Sequence, residues 1–184
     1  SPTAPPAKDE PCSAIPVATT VNCTYSTYSV FAATATAGVT APGCGNYVGG
    51  DVWFSATVPA SGNIDIDTDE GTMFNGDMAI YNGTCGSLNL IDCDDATSTN
   101  GAMGQITAVG LTPGETVYIR VWSNGNLAPG DFGLCVTDPP LPPDCGGNPP
   151  AGNTCANAPN ICDIDGICGS TASSYTANYW TQLN

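Results

Sequence analysis

Apolar and polar residues alternate with a period of two through much of the chain. In Asp51-Val52-Trp53-Phe54-Ser55-Ala56-Thr57-Val58 the even positions are apolar, and only Trp53 breaks the alternation. Pro59-Ala60-Ser61-Gly62 turns the chain into Asn63-Ile64-Asp65-Ile66-Asp67, which alternates again. Further runs occupy 77–81, 88–91, 105–109, 116–122 and 130–136, with turn residues between them. A period of two sends successive side chains to opposite faces of a sheet. Short strands of this kind, punctuated by Gly, Pro, Asn and Asp, predict an antiparallel β-sandwich. No stretch carries the period of an amphipathic helix, so the expected class is all-β.

The inward positions of those runs give the expected core: Val52, Phe54, Ile64, Ile66, Met78, Ile80, Ile106, Val117, Ile119, Val121, Phe132, Leu134 and Val136. A slip of one residue in any strand would turn its share of this set out to water. Tyr118, Arg120 and Trp122 fall together on the opposite face. The ends read differently. Residues 1–11 are proline-rich and are expected to form an extended linker, and 139–154 a second one rich in Pro and Gly. The stretch around Cys155 echoes the stretch around Cys12, so a following module, incomplete at Asn184, is expected over 155–184. The opening Ser1-Pro2-Thr3 has no basic n-region and is expected to be a processed or excised start.

Charge narrows the partners. Seventeen acidic side chains stand against two basic ones, for a net charge of −15. Such a chain repels phosphate backbones and anionic headgroups, which argues against nucleic acid and membrane surfaces. No run approaches the ~18 apolar residues of a membrane-spanning helix. There is no histidine, hence no Ser-His-Asp triad, Cys-His dyad or imidazole ligand. The chain holds only three glutamates, Glu10, Glu70 and Glu115, and nothing marks a carboxyl pair for glycoside hydrolysis. No enzyme is expected. Asn22-Cys23-Thr24 and Asn82-Gly83-Thr84 fit a glycosylation pattern but read as strand-end or turn residues.

Ten cysteines without a Cys-x-x-Cys pair point to disulfides and an oxidising compartment rather than zinc. Cys85 and Cys93 bracket a short segment and are expected to bridge across a strand–loop–strand unit. Cys12 is expected to join Cys135, and Cys23 to join Cys44. Cys145, Cys155, Cys162 and Cys168 would pair among themselves, unless a partner lies beyond Asn184.

Five segments in order carry a resemblance: Cys12-x-Ala14, Gly50-Asp51-Val52-Trp53-Phe54-Ser55, Met78-Ala79-Ile80-Tyr81-Asn82-Gly83-Thr84-Cys85, Asp92-Cys93-Asp94-Asp95 and Thr116-Val117-Tyr118-Ile119-Arg120-Val121. Over residues 12–138 the chain resembles the pre-peptidase C-terminal domain type. More narrowly, it resembles the cysteine-containing version repeated in large secreted and surface proteins of gliding-type bacteria that export through a type IX pathway. The resemblance implies a jelly-roll-like sandwich, no catalysis, an extracellular or cell-surface location, and a place beside enzymes or within adhesive arrays. The acidic run Asp65-Ile66-Asp67-Thr68-Asp69-Glu70 departs from the family pattern.

Two candidate sites remain. Calcium takes ~6–8 oxygen ligands, and aspartate-dense loops can supply them. No EF-hand register fits, so a calcium site would be assembled from separate loops, with Asp67 or Asp69 meeting Asp94 or Asp95. No cofactor is required. Tyr118, Arg120 and Trp122 could line a flat sugar-binding face, rings stacking on sugars and the guanidinium donating to hydroxyls. Alternatively, loops cover that face and Arg120 pairs with an aspartate. The expected function is a non-catalytic structural or adhesive module that contacts neighbouring modules or subunits of the same protein. The alternative is a carbohydrate-binding accessory module of a secreted hydrolase, with polysaccharide as partner.

Overall fold

A computed structural model of the chain describes residues 4–139. Ten strands form two sheets packed face to face. The first holds β1 (Ile15–Pro16), β3 (Asp51–Thr57), β9 (Thr116–Ser123), β5 (Asn75–Thr84) and β6 (Ser87–Asp94) in that spatial order, with β7 (Ala102–Met103) pairing beside β5. The second runs β2 (Ser26–Ser29), β10 (Asp131–Thr137), β4 (Ile64–Glu70), β8 (Gln105–Ala108). Pairing is antiparallel except for the short β1–β3 and β5–β7 contacts. The all-β sandwich expected from the alternation is the observed fold. The periodicity missed β1 and β7, which have two residues each, and β2, where Ser26-Thr27-Tyr28-Ser29 has no aliphatic residue to mark an inward face.

Every residue of the expected core lies in one buried cluster between the sheets, joined by Val30, Ala56, Val58, Met73, Met103 and Ala108. Phe54, Phe132 and Tyr28 meet there with ring centroids 4.6–6.3 Å apart, in edge-on and tilted arrangements. The register explains the agreement. Phe54 faces Ile119 across β3–β9 and Ile80 faces Ile119 across β5–β9, so one inward row crosses three central strands.

The first sheet also buries its other face. Trp53, Ala79, Tyr81 and Trp122 form a second buried cluster, roofed in part by Val39, Cys44, Tyr47 and Ala14. The roof is the 33–50 segment together with the N-terminal stretch. That stretch is not a free linker over its whole length. The Lys8 carbonyl accepts the Trp53 N–H at 2.7 Å, and the buried Asp9 carboxylate accepts the Thr34 N–H at 2.6 Å. Sequence alone gave no cue, because the anchoring atoms are a backbone carbonyl and one aspartate among prolines.

The expected disulfide pairings are corrected. The bridges are Cys12–Cys85, Cys23–Cys135 and Cys44–Cys93, with Cα separations of 4.9, 5.4 and 6.1 Å. Cys85–Cys93 fails because the residues between them are not a loop but the strand β6. Cys85 lies in the β5–β6 turn, while Cys93 faces Ala79 at the far end of the hairpin. At ~3.3 Å per strand residue the two are far beyond disulfide reach. The tightness of that turn also shows at Gly83 (φ 101°), where an added Cβ would collide with the Ser87 carbonyl. Cys12–Cys135 and Cys23–Cys44 fail because Cys12 docks on the first sheet and Cys135 points out of the second, beside Cys23. Residues 145, 155, 162 and 168 and the module expected over 155–184 lie outside the described residues.

Candidate functional site

Arg120 is the hub of the roofed face. It leaves β9 outward, on the side opposite Ile119 and Val121, and is fully buried beneath the 33–50 segment. Its Nε donates to Asp51 Oδ2 at 3.0 Å, and both side chains are 0% exposed. Its Nη2 donates to the Tyr47 hydroxyl at 2.5 Å and Nη1 to the Thr40 carbonyl at 3.3 Å. The guanidinium carbon lies 4.1 Å from the Tyr47 ring centroid and 5.2 Å from that of Trp53.

Asp51 is equally committed. Oδ1 accepts the Tyr47 hydroxyl at 2.6 Å and the Thr36 N–H at 3.1 Å. Oδ2 accepts Thr36 Oγ1 at 2.5 Å and Trp53 Nε1 at 2.9 Å beside the Arg120 contact. Burial, reinforced by the Asp51 carboxylate, pushes the Tyr47 phenol well above its ordinary range. A buried pair survives only when its remaining donors and acceptors are met, and here they are.

The proposed ligand face of Tyr118, Arg120 and Trp122 is therefore corrected. The three do share one face, but Arg120 and Trp122 are sealed from solvent and only Tyr118 is half-buried. The arginine pairs with an aspartate, and rings and guanidinium serve as a second core. The Trp53 break in the alternation was the visible signal, since strands buried on both faces read as continuous apolar runs.

The four candidate calcium ligands do not converge. Asp67 accepts Tyr25 Oη at 2.6 Å, Ser98 Oγ at 2.7 Å and Asn100 Nδ2 at 3.2 Å. Burial first, and the Asp67 hydrogen bond second, lift Tyr25 to about 12. Asp94 Oδ2 accepts the N–H groups of Thr97 and Gln105, each at 3.0 Å. Asp69 is half-buried on the outside of β4, and Asp95 is exposed. Among the described residues no three His, Cys, Asp or Glu side chains gather where they could hold a metal ion. Asp67 and Asp94 instead brace the 95–104 loop, one from its middle and one from its base.

Two surface features escaped the sequence reading. At the end where β3, β5 and β10 begin and β2, β4 and β9 finish, the connecting loops bond to one another. Val30 N–H donates to the Gly130 carbonyl, Met73 N–H to the Asp131 carbonyl and Gly125 N–H to the Asn46 carbonyl, at 3.0, 2.9 and 2.7 Å. These loops expose Phe31 (62%), Val48, Phe74 (60%) and Leu127. The available cue was Phe74, set among Gly71, Thr72, Asn75 and Gly76. The second feature is a groove of about 840 Å³ beside the Cys12–Cys85 bridge. It is lined by Ala37–Ala41, Glu10–Cys12, Tyr81 and Cys85–Leu90.

The family model described as galactose binding domain-like, of the type associated with type IX secretion, matches residues 8–132. The chain belongs to this family. The matched span opens at Lys8, where the chain first grips the large sheet, and ends at Phe132 in β10. The galactose-binding-domain-like module is thus a disulfide-bridged β-sandwich, in keeping with a secreted protein. No helix among its described residues is long and apolar enough to cross a membrane. The crystal structure of the pre-peptidase C-terminal domain of collagenase from Bacillus anthracis is similar to it at 15% identity and a TM-score of 0.41, over 67% of this chain and 93% of that one. Among curated proteins none matches.

Proposed function

We propose that the chain is a non-catalytic structural and adhesive module of a secreted or cell-surface protein, and that it makes assembly contacts with neighbouring modules or subunits. One observation carries this reading. The groups best able to do chemistry, Arg120 with Asp51, Tyr47 and Trp53, are consumed in a sealed internal network, and two disulfides fasten its roof to the β5–β6 hairpin. The result is a rigid block whose exposed surface, rather than a reactive centre, is what it offers. The family association supports the same view. Sedimentation velocity of the full chain over a wide concentration range tests it. Reversible association is expected; a strictly monomeric chain that also fails to bind its flanking modules would overturn it.

The carbohydrate-binding alternative moves to a different place. Exposed Phe31 and Phe74, with the exposed polar side chains of Asn46 and Asn126 on adjoining loops, offer stacking faces and uncharged hydrogen-bonding groups. Polysaccharide pull-down that fails for Phe31→Ala/Phe74→Ala but survives Tyr118→Ala would favour this second reading.

A further inference from the structure

Sheet edges expose unpaired backbone groups, and proteins blunt them by shortness, charge, proline or bulges. Three of the four edges here are blunted by length. β1 has two residues and contains Pro16, while β2 and β8 have four each. β6 is an edge strand of eight residues. Its far half is protected by Asp92 and Asp94 and by a bulge at Ile91, where the register with β5 shifts. Its near half, Ser87-Leu88-Asn89-Leu90, has no charge, no proline and no bulge. Among the described residues its backbone bonds only to β5.

The 840 Å³ groove lies along this unprotected half. All four of these consecutive residues line it. Ala37–Ala41, another run of consecutive residues, also lines it, together with Tyr81 and the Cys12–Cys85 bridge. Leu90 is 45% exposed beside it. Among the described residues that line it, Glu10 is the single charged one, in a chain of net charge −15. A second acidic surface would be repelled; an uncharged or basic segment would not.

We propose that this slot receives an extended peptide strand, uncharged or basic, from a partner protein, added to the free edge of β6. The inference rests on the assembly reading and names its contact surface. Backbone hydrogen bonds to Ser87–Leu90 hold the strand, and alternate aliphatic side chains settle against Leu88, Leu90 and Val39.

The test is fluorescence anisotropy of the full chain with a labelled synthetic octapeptide of alternating Thr and Val flanked by lysines. A second peptide of the same sequence carries N-methyl groups on alternate amides. Saturable binding is expected for the first, with a loss of at least about tenfold for the N-methylated peptide and for the Leu90→Asp chain. Thermal melting must show the Leu90→Asp chain folded. Three results overturn the proposal: no binding at millimolar peptide, equal binding of the N-methylated peptide, or displacement of the peptide by a neutral polysaccharide. If the chain self-associates in sedimentation while the octapeptide does not bind, the slot is wrong and the assembly reading stands. If neither occurs and the chain also fails to bind its flanking modules, both fall.

Discussion

On the outside of β9, Arg120 and Trp122 lie sealed under a roof of loops; on the outside of β4, Asp65, Asp67 and Asp69 stand half-buried at the protein's surface. Both strands alternate, and both send their inward residues into the same core. The faces differ because of what each outward side chain needs. A guanidinium removed from water needs partners, and the 33–50 segment supplies two through the Thr40 carbonyl and the Tyr47 hydroxyl, while the Tyr47 ring packs edge-on against Trp122. Carboxylates beside water need none, so theirs are free to brace a loop. One outer face became a second core, and the other became an acidic surface that favours solubility.

The comparison breaks most sharply at Arg120. Arg120→Met leaves the Asp51 carboxylate buried and uncompensated, and should cost about 3–5 kcal/mol. Asp69→Asn on the acidic face should stay within about 0.5 kcal/mol. Chemical denaturation of both variants checks the contrast, and near-equal losses would erase it.

Next come the disulfides. Cys44–Cys93 pins the roof to β6, whereas Cys23–Cys135 sits on the acidic side. Replacing either pair by serines should cost about 2–4 kcal/mol, since the closed loops are long. Only loss of Cys44–Cys93 should raise hydrogen exchange across residues 33–50.

A smaller effect separates the faces by pH. Asp77 is buried near Asn124 and the Gly45 turn, where an added Cβ would strike its carboxylate. Burial raises it from 3.8 to about 6. A raised carboxylate binds its proton more tightly folded than unfolded, so its contribution to stability is present below about pH 4 and falls as pH rises to about 6. Subtracting the melting curve of Asp77→Asn should reveal that decline. A contribution rising over the same window would mean that Asp77 is stabilised as the anion.

The smallest expected effect is that of calcium on the acidic face. With Asp67 and Asp94 already accepting protein donors and Asp69 and Asp95 apart, chelator and millimolar calcium should give the same melting temperature. A rise of several degrees with calcium would show that the loops regroup around an ion.

The inner core was legible because one rule governs it: alternation places Val52, Phe54, Ile119 and Val121 on one side, and register does the rest. The outer face of the large sheet was legible only in part. Trp53 beside Val52 and Phe54, and the unbroken run Met78-Ala79-Ile80-Tyr81, carry the mark of strands buried twice. The roof itself, rich in Ala, Gly and Thr, has no period to read. The cysteine pairs were hidden for a related reason. Seven residues between Cys85 and Cys93 suit a loop by count, and only strand register shows that most of them form one arm of a hairpin.

The central claim is that Trp53 and Trp122 lie in a closed second core beneath the 33–50 roof. Acrylamide quenching of a Trp180→Phe chain, in which those two are the remaining tryptophans, tests it most directly. The account predicts blue-shifted emission that resists quenching in the oxidised protein, with quenching gained once Cys44–Cys93 is removed. Red-shifted, freely quenched emission from the oxidised chain would show the face to be open and contradict the claim.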